Sequence, residues 1–383
     1  MNHNDKTNCS ESKLLSLCSY PYLSDTIQKN ILAILNTSLD YDMLLSRARQ
    51  HGMLPLLYYH VKEFKDLVPT TVFQDLRMQY LGNTSRNLVL IKELTRIISL
   101  MKEHDIPMIP FKGPLLALQG YQDISLRSFS DLDVMVHKKD VLKVKDILLH
   151  EDFVPTIPMN TSEERFVLKN DCEYNFRKKR SPVCIEVHWR FHPRLCHIPF
   201  DENIWDRLYP VNLEKENILS FSVEDLFLFL CTHATRHQWC QLRYLSDLFG
   251  LFQSQDVDLD AVYRIAREQR LLRIFFIGLF LLKMQYMVSF PSTIEQNMQR
   301  DTKAQELSKT INYRLLSQPV SYQEHHLFGF WLKSREDMYD KLMSGFHMLF
   351  SPTQIDVDFT TRKQMGIGRY VLLRPYRLLQ YLS

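Results

Sequence analysis

Residues 129–136, with the sequence FSDLDVMV, constrain the fold of this chain more than any other stretch. A turn-like RSFS segment, residues 127–130, precedes the two acids, and apolar and β-branched residues follow them. This pattern is typical of a β-strand. Side chains at i and i+2 of a strand point to one face, so Asp131 and Asp133 project together while Leu132 and Val134 face the core. Two ionised carboxylates this close repel each other, and a divalent cation bound between them removes the repulsion. Paired oxygen ligands are typical of Mg²⁺, which adds water and substrate phosphate.

Taken alone, an Asp-x-Asp pair is more often the start of a solvated strand, so the neighbouring segments decide its meaning. Upstream, residues 106–116 predict a short strand, a turn at Lys112 and Gly113, and a helix. A glycine that opens a helix lets backbone approach closely, and a helix N-terminus favours anions. Downstream, residues 182–190 predict a strand with Glu186 and His188 on one face. A third carboxylate on a neighbouring strand completes the usual three-acid set for two metal ions.

These segments together resemble the uncharacterised nucleotidyltransferase family, in the superfamily with the nucleotidyltransferase fold of DNA polymerase beta. The likeness rests on Lys-Gly, then a Tyr and an Arg, then SDLDV, then IEVHWR. Other members have Gly-Gly or Gly-Ser where this chain has Lys112 and Gly113. An Ala…His-Gly-x-x-Pro-Leu segment of the family matches residues 48–56, where His51 is interpreted as a structural residue at a helix end.

A second family block, His…His-x-Trp…Leu-Arg…Asp, matches residues 233–247. In related folds this region covers the base and phosphates of the nucleotide, so the resemblance places His237 and Arg243 near the triphosphate or the base. The alternative is that His233, Trp239 and Asp247 are packing and helix-capping residues. Both interpretations stay open, because arginine is favoured near phosphates but is equally common in structural ion pairs.

Composition excludes several classes of protein. The formal net charge of +3 is too small to indicate nucleic-acid binding, and the chain has no P-loop or dinucleotide glycine pattern. Seven cysteines without a Cys-x-x-Cys, and no secretory signal, predict a cytoplasmic protein. The longest apolar run, residues 274–282, is too short for a transmembrane segment and predicts a buried helix.

The pattern along the chain predicts an α+β fold with a small mixed β-sheet between helical regions. Helices are predicted over residues 84–104, 138–152, 259–286 and 293–316, and a β-hairpin over 172–189. We predict four regions: an N-terminal helical region (1–104), a nucleotidyltransferase catalytic core (105–215), a helical domain that covers the nucleotide (216–316) and a basic C-terminal extension (317–383).

The C-terminal extension has several candidate roles. After Asp358 it contains five basic residues and no acid. Such a segment is typical of a basic amphipathic tail at a membrane surface, or of a docking helix or homodimer contact. The last two are favoured, because Pro375 interrupts a helix.

The resemblance implies an Mg²⁺-dependent nucleotidyltransferase that takes an NTP, ATP among the candidates, and releases pyrophosphate. Two Mg²⁺ ions are expected on the catalytic acids Asp131, Asp133 and Glu186. Nucleotide binding is expected of Lys112, Gly113, Arg127, Ser130, His237 and Arg243. The acceptor is a hydroxyl of a small molecule, a sugar, or a peptide or protein; the weak net charge argues against long nucleic acid. The alternative hypothesis is a catalytically inactive module that binds a nucleotide or a partner.

Overall fold

The computed structural model of the chain describes residues 9–199, 201–213, 216–317 and 324–351, with positions 356 and 371; for 324–327 only the backbone is described. The chain divides into two compact units, each built from three segments. The helical unit comprises Met1–Val89, Pro114–Phe129 and Val223–Ser334. The sheet unit comprises Leu90–Gly113, Ser130–Ser222 and Arg335–Ser383.

Helices make up most of the described residues. They are α1 (Ser10–Leu17), α2 (Asp25–Leu35), α3 (Tyr41–Gln50), α4 (Leu54–Val61), α5 (Thr70–Glu103), α6 (Gly113–Tyr121), α7 (Val141–His150), α8 (Thr161–Asn170), α9 (Val223–Arg236), α10 (Leu242–Ser254), α11 (Leu259–Glu268), α12 (Leu272–Tyr286), α13 (Ser292–Arg300), α14 (Thr302–Ser317), α15 (Glu324–Ser334) and α16 (Met338–Phe350).

A five-stranded mixed sheet forms the centre of the sheet unit. Its strands are β1 (Met108–Pro110), β2 (Asp131–Val136), β3 (Phe153–Pro155), β4 (Glu173–Lys178) and β5 (Cys184–His188), in the spatial order β1-β2-β5-β4-β3. The β2–β5 pair is parallel, and the other pairs are antiparallel. A separate hairpin consists of β6 (Tyr209–Leu213) and β7 (Glu216–Ser220). Sheets and helices together give the predicted α+β class.

Strand β2 has the burial pattern of a central strand. Residues 132–136 are all buried, which explains their nearly continuous apolar sequence, because both faces of the strand are covered. Asp133 is the polar exception in this run and is only 3% exposed. The predicted hairpin downstream is confirmed: β4 and β5 pair antiparallel, and Arg180 in the connecting turn has a φ of +54°.

Several helices differ in extent from the sequence prediction. The helix predicted over 84–104 begins at Thr70, because Gly82 within it does not stop an otherwise continuous helical pattern. The segment 259–286 is two helices, separated at Arg270, which has a φ of +56°. The segment 293–316 is interrupted at Asp301, whose carboxylate accepts from Ala304 N at 2.9 Å and pairs with Arg273.

The core of the helical unit depends on close helix–helix contacts. The predicted buried helix is confirmed, since residues 274–282 of α12 are buried throughout. Helices α6 and α10 approach through glycines: a Cβ on Gly250 would lie 2.5 Å from Gly120 O. Helices α9 and α12 are equally close, because a Cβ on Gly278 would lie 2.7 Å from Cys231 Sγ.

Asparagines of α5 fix the segment that leads toward β2. Asn83 Nδ2 donates to Ser125 O at 3.0 Å, and Asn87 Nδ2 donates to Arg127 O at 2.9 Å. Arg86 Nε donates to Phe129 O at 3.1 Å. Because residues at i, i+3 and i+4 share one helix face, these three side chains hold the carbonyls of one loop.

The C-terminal region 317–383 is described only in part. It contains α15 and α16, but the predicted basic tail after Asp358 lies outside the described residues except for position 371. None of the described helices combines the length and the apolar character that crossing a bilayer requires.

Candidate active site

The two acid-bearing strands predicted from sequence are neighbours in the sheet. Strands β2 and β5 run parallel, and their register places Asp133 beside Glu186 and Leu132 beside Ile185. Side chains alternate between the two faces of a strand, so the acids share one face and the leucine and isoleucine share the other. Glu186 is therefore adjacent to the aspartate strand, as the mechanism predicted from sequence requires.

His188 lies between the carboxylates of this face. Its Nε2 is 3.3 Å from Asp133 Oδ1 and 3.5 Å from Glu186 Oε2. Ligand atoms of Asp133, Glu186 and His188 all lie within 4.8 Å of one another. Asp133 and His188 are 3% and 4% exposed, so both are shielded from water, whereas the side chain of Glu186 is 25% exposed.

Lys112 brings a positive charge to the same cluster. The backbone N–H of Phe111 donates to Asp133 O at 3.3 Å, which holds the end of β1 against β2. The next residue, Lys112, forms an ion pair with Asp133 Oδ1 through its ammonium group. Gly113 then begins α6 with a φ of +51°, a left-handed conformation that favours glycine.

Electrostatic effects shift the pKa values of Asp133 and Glu186 in opposite directions. Burial alone would raise the pKa of Asp133, but Lys112 and His188 hold the pKa of that carboxyl well below its usual range. Burial raises the pKa of Glu186 to about 7; the neighbouring imidazole of His188 opposes this shift, and the charges of Glu173 and Asp133 add to it. The protein therefore compensates the charge of Glu186 less than that of Asp133.

The two basic groups respond to the same negative charges. Burial disfavours the charged form of Lys112, yet the charges of Asp133, Glu186 and Asp131 raise the pKa of its ammonium above its ordinary value. Burial likewise disfavours the imidazolium, but Glu173, Asp133 and Glu186 together raise the pKa of His188 to about 9. The cluster therefore attracts positive charge.

Asp131 lies at the start of β2 and is more exposed than Asp133. Its register partner on β5 is Cys184. It is not among the three residues whose ligand atoms converge in the described part of the chain, although its charge acts on Lys112. Its role as a metal ligand stays a prediction, as do the catalytic and metal-binding roles of Asp133 and Glu186.

Glu173 is a site residue that the sequence analysis missed. The antiparallel register of β4 and β5 places Glu173 opposite His188, and Glu173 Oε2 is 3.5 Å from His188 Nδ1. Cys172, Glu173 and His188 form a second group with ligand atoms within 4.8 Å of one another. The sequence does place an acid at the start of the predicted hairpin, but which residue lies opposite Glu173 depends on the register of the two strands.

The distances within the cluster fit a divalent ion. A metal–oxygen distance of about 2.1 Å in octahedral coordination places neighbouring ligand atoms about 3 Å apart and opposite ones about 4.2 Å apart. The separations of 3.3 and 3.5 Å, within a cluster no wider than 4.8 Å, are of this size. Two carboxylates and an imidazole also have the right donor chemistry for a divalent cation.

The predicted phosphate ligand Arg127 belongs to the helical unit, where it contacts Asp247. Arg127 Nε and Nη2 are 2.7 and 3.0 Å from the two carboxylate oxygens, and Tyr121 donates to the same carboxylate at 2.7 Å. This buried bidentate pair joins the segment before β2 to α10. It gives Asp247 the structural role considered for it, while the phosphate role of Arg127 stays a prediction.

Arg243 and His237 also belong to the helical unit. Arg243 Nη1 donates to Ser128 O at 3.3 Å, and its Cδ lies 3.2 Å from where a Cβ on Gly52 would be. The ring of His237 stacks on Tyr244 at 5.8 Å. Ser130 belongs to the sheet unit and is exposed just before β2. Contact with a nucleotide stays a prediction for all three residues.

The two family motifs of the helical unit contact each other through His51. Its Nδ1 accepts from Leu242 N at 3.2 Å at the start of α10, and its carbonyl oxygen accepts from Arg243 N at 3.3 Å. His51 is also the residue at which α3 ends. Burial lowers the pKa of His51 to about 4, with a contribution from Arg47, so the ring is neutral and free to accept.

A five-stranded mixed sheet with acids on two parallel neighbouring strands, together with the flanking helices, defines an α+β protein. The profile of the family described as "Uncharacterised nucleotidyltransferase" matches residues 37–286, and the chain belongs to that family. The matched segment includes the acidic cluster and both motifs of the helical unit. Membership makes the chain a transferase that acts on nucleotides in general. No curated protein matches the chain.

Proposed function

We propose that the chain transfers a nucleoside monophosphate from an NTP to a hydroxyl group and releases pyrophosphate, with Asp131, Asp133 and Glu186 holding Mg²⁺. The observation that carries the proposal is the convergence of the buried Asp133 and the partly buried Glu186 from parallel strands in direct register. In the reaction, the acceptor oxygen forms a bond to the α-phosphorus and the bond from that phosphorus to the pyrophosphate oxygen breaks. The proton of the acceptor passes to water.

The residues of the cluster act by position and charge. Bound divalent ions supply charge neutralisation for the attacking and leaving oxygens. Asp133 and Glu186 would fix those ions because the strands hold both carboxylates in a rigid register. Lys112 and the backbone N–H of Gly113 offer positive charge to phosphate oxygens. The acceptor is a hydroxyl of a small molecule, sugar, peptide or protein.

Two charge-removing variants test this function. Asp133→Asn and Glu186→Gln are expected to lower the rate of pyrophosphate release by at least about 100-fold, since each removes a ligand to ions that stabilise the transferring phosphoryl group. The assay supplies each of the four NTPs with Mg²⁺ and a cell extract as the source of acceptors, and mass spectrometry identifies the products. Unfolding curves check that both variants fold.

Asp152→Asn is the matched control, because Asp152 is an exposed acid of the same unit with a side chain 77% exposed. Its φ of +63° is one that asparagine tolerates, so the variant removes one negative charge without straining the backbone. It is expected to keep full activity. Wild-type rates in both cluster variants would refute the proposed function.

The alternative function is an inactive module that binds a nucleotide or a partner. It is favoured by one observation, the ion pair in which the Lys112 ammonium compensates the charge of Asp133. Isothermal titration with NTP and Mg²⁺, followed by a search for released pyrophosphate, separates the two functions. Binding without pyrophosphate, across many acceptors, would support the inactive module.

A further inference from the structure

The imidazole of His188 faces carboxylates on both sides. Its Nε2 is 3.3 Å from Asp133 Oδ1 and 3.5 Å from Glu186 Oε2, and its Nδ1 is 3.5 Å from Glu173 Oε2. The ring of Phe111 packs edge-on against it at 5.1 Å and 82°, which restricts its rotation. A buried imidazole in this position is stable either as a doubly protonated cation or as a neutral ring whose acceptor nitrogen is bound to a cation.

The arrangement around His188 has the form of a carboxylate–histidine–metal triad. Histidines that bind a metal through one nitrogen almost always donate the N–H of the other nitrogen to a carboxylate or carbonyl. Glu173 is in position to accept from Nδ1, which leaves the lone pair of Nε2 directed toward Asp133 and Glu186. The distances of 3.3 and 3.5 Å from Nε2 are of the size that separates ligand atoms around a shared ion.

We propose that His188 binds the metal ion through Nε2, that Glu173 is the positioning residue for its ring, and that the centre prefers first-row transition ions to Mg²⁺. The inference rests on the proposed function only in placing a metal on Asp133 and Glu186. Imidazole is a borderline ligand that suits transition ions, whereas Mg²⁺ is bound mainly by oxygen. One nitrogen in the set therefore shifts selectivity away from Mg²⁺.

The test uses Mn²⁺ as the probe, because its electron spin reports directly on coordinated nitrogen. The untagged full-length chain is stripped of metal by chelation and titrated with Mn²⁺, and free Mn²⁺ is followed by electron paramagnetic resonance. We expect one tight site, with an affinity for Mn²⁺ at least about 10-fold above that for Mg²⁺ in competition. Pulsed measurements on the bound ion are expected to show coupling to one ¹⁴N nucleus, replaced by ¹⁵N coupling when the chain is grown with ¹⁵N-labelled histidine.

Variants show which residue provides the nitrogen that is coupled to Mn²⁺. His188→Gln is expected to abolish the nitrogen coupling, and Glu173→Gln to weaken Mn²⁺ binding by about 10-fold and to change the coupling constant, since it loosens the ring. Asp152→Asn is the control, because Asp152 is an exposed acid of the same unit outside the cluster, and it is expected to change neither value. If His188→Gln does not fold, the labelled wild-type chain and Glu173→Gln still decide the question.

Absence of nitrogen coupling in wild-type chain that binds Mn²⁺, or equal effects of Glu173→Gln and Asp152→Asn, would overturn the inference and leave His188 as an imidazolium. This failure is distinct from failure of the proposed function. Pyrophosphate release without nitrogen coupling would leave the function standing and remove His188 as a ligand. Nitrogen coupling without transfer to any acceptor would establish His188 as a ligand and refute the proposed function.

Discussion

Asp133 and Glu186 are register partners on one sheet, yet their charges are compensated differently. Asp133 contacts both Lys112 and His188, and these cations hold its pKa below the usual range. Glu186 contacts His188 at 3.5 Å, and burial raises its pKa to about 7. The ion pair with Lys112 therefore distinguishes Asp133 from Glu186, because His188 faces both carboxylates.

Replacing this lysine should expose the repulsion between the two acids. Lys112→Met is expected to lower the free energy of unfolding by about 3 kcal/mol in chelator, because it removes one of the two cations that compensate the buried carboxylate of Asp133. Addition of Mg²⁺ or Mn²⁺ should recover more stability in this variant than in the wild type, since the ion takes over part of the lost charge compensation. Urea unfolding with and without each ion measures both effects.

Lys145→Met is the control for that experiment. Lys145 pairs with Glu164 in the same unit, and both side chains are partly buried, 21% and 11% exposed. Its loss should cost stability, but divalent ions should not restore it. Recovery by Mg²⁺ in the control, or none in Lys112→Met, would contradict this account of the cluster.

At the scale of elements, the contact between α6 and α10 depends on the absence of two side chains. A Cβ on Gly250 would lie 2.5 Å from the Gly120 carbonyl oxygen and 3.1 Å from its carbonyl carbon, and both atoms are backbone that cannot move aside cheaply. Helices packed this closely leave no room for a methyl group. The same two helices bear Tyr121 and Asp247, so their spacing also sets the hydrogen bond between those residues.

Gly250→Ala and Gly82→Ala form a matched pair that tests this contact. Gly250→Ala is expected to lower the free energy of unfolding by about 1–3 kcal/mol, because the added methyl group forces the helices apart. Gly82→Ala lies in α5 with nothing within 4 Å of the new Cβ, so it should raise stability by about 0.5–1 kcal/mol through helix propensity. Denaturant unfolding of both variants measures the change in the free energy of unfolding. A change of the same sign in both variants would refute the packing argument.

At the scale of the whole molecule, neither unit is continuous in sequence. The second half of α5 belongs to the sheet unit, where Glu93 pairs with Lys178 at 2.8 Å and Arg96 with Glu151 at 2.6 Å. This half of the helix also buries five apolar side chains to 1% exposure or less: Leu90, Ile91, Leu94, Ile97 and Met101. Burial of five such side chains contributes on the order of 10 kcal/mol, comparable to the net stability of a domain.

Fragments of the chain test whether the predicted catalytic core is an independent domain. The predicted segment 105–215 omits the helix that carries those five side chains, so it is expected to show no cooperative urea transition. A fragment of residues 90–222 restores that part of α5 and should regain cooperative unfolding, followed by circular dichroism. Equal cooperativity of the two fragments would show that α5 is dispensable and that the predicted boundaries of 105–215 suffice.

Local patterns determined much of the fold and part of the candidate site. Strand β2, its acids at i and i+2, the β4–β5 hairpin and the buried character of α12 follow from side-chain alternation, turn residues and apolar runs within a few residues of sequence. The helix ends at Arg270 and Asp301 were missed, because a residue with positive φ and a carboxylate cap are stabilised by their surroundings as much as by their neighbours in sequence.

Only the tertiary structure decided which groups meet. The ion pairs of Lys112 with Asp133 and of Arg127 with Asp247, and the placement of Glu173 against His188, each join segments separated in the sequence. Sequence determines which face of a strand or helix is polar, but register and packing determine what that face contacts. The physical reason is that a one-residue change of register moves every side chain to the opposite face while the local pattern stays the same.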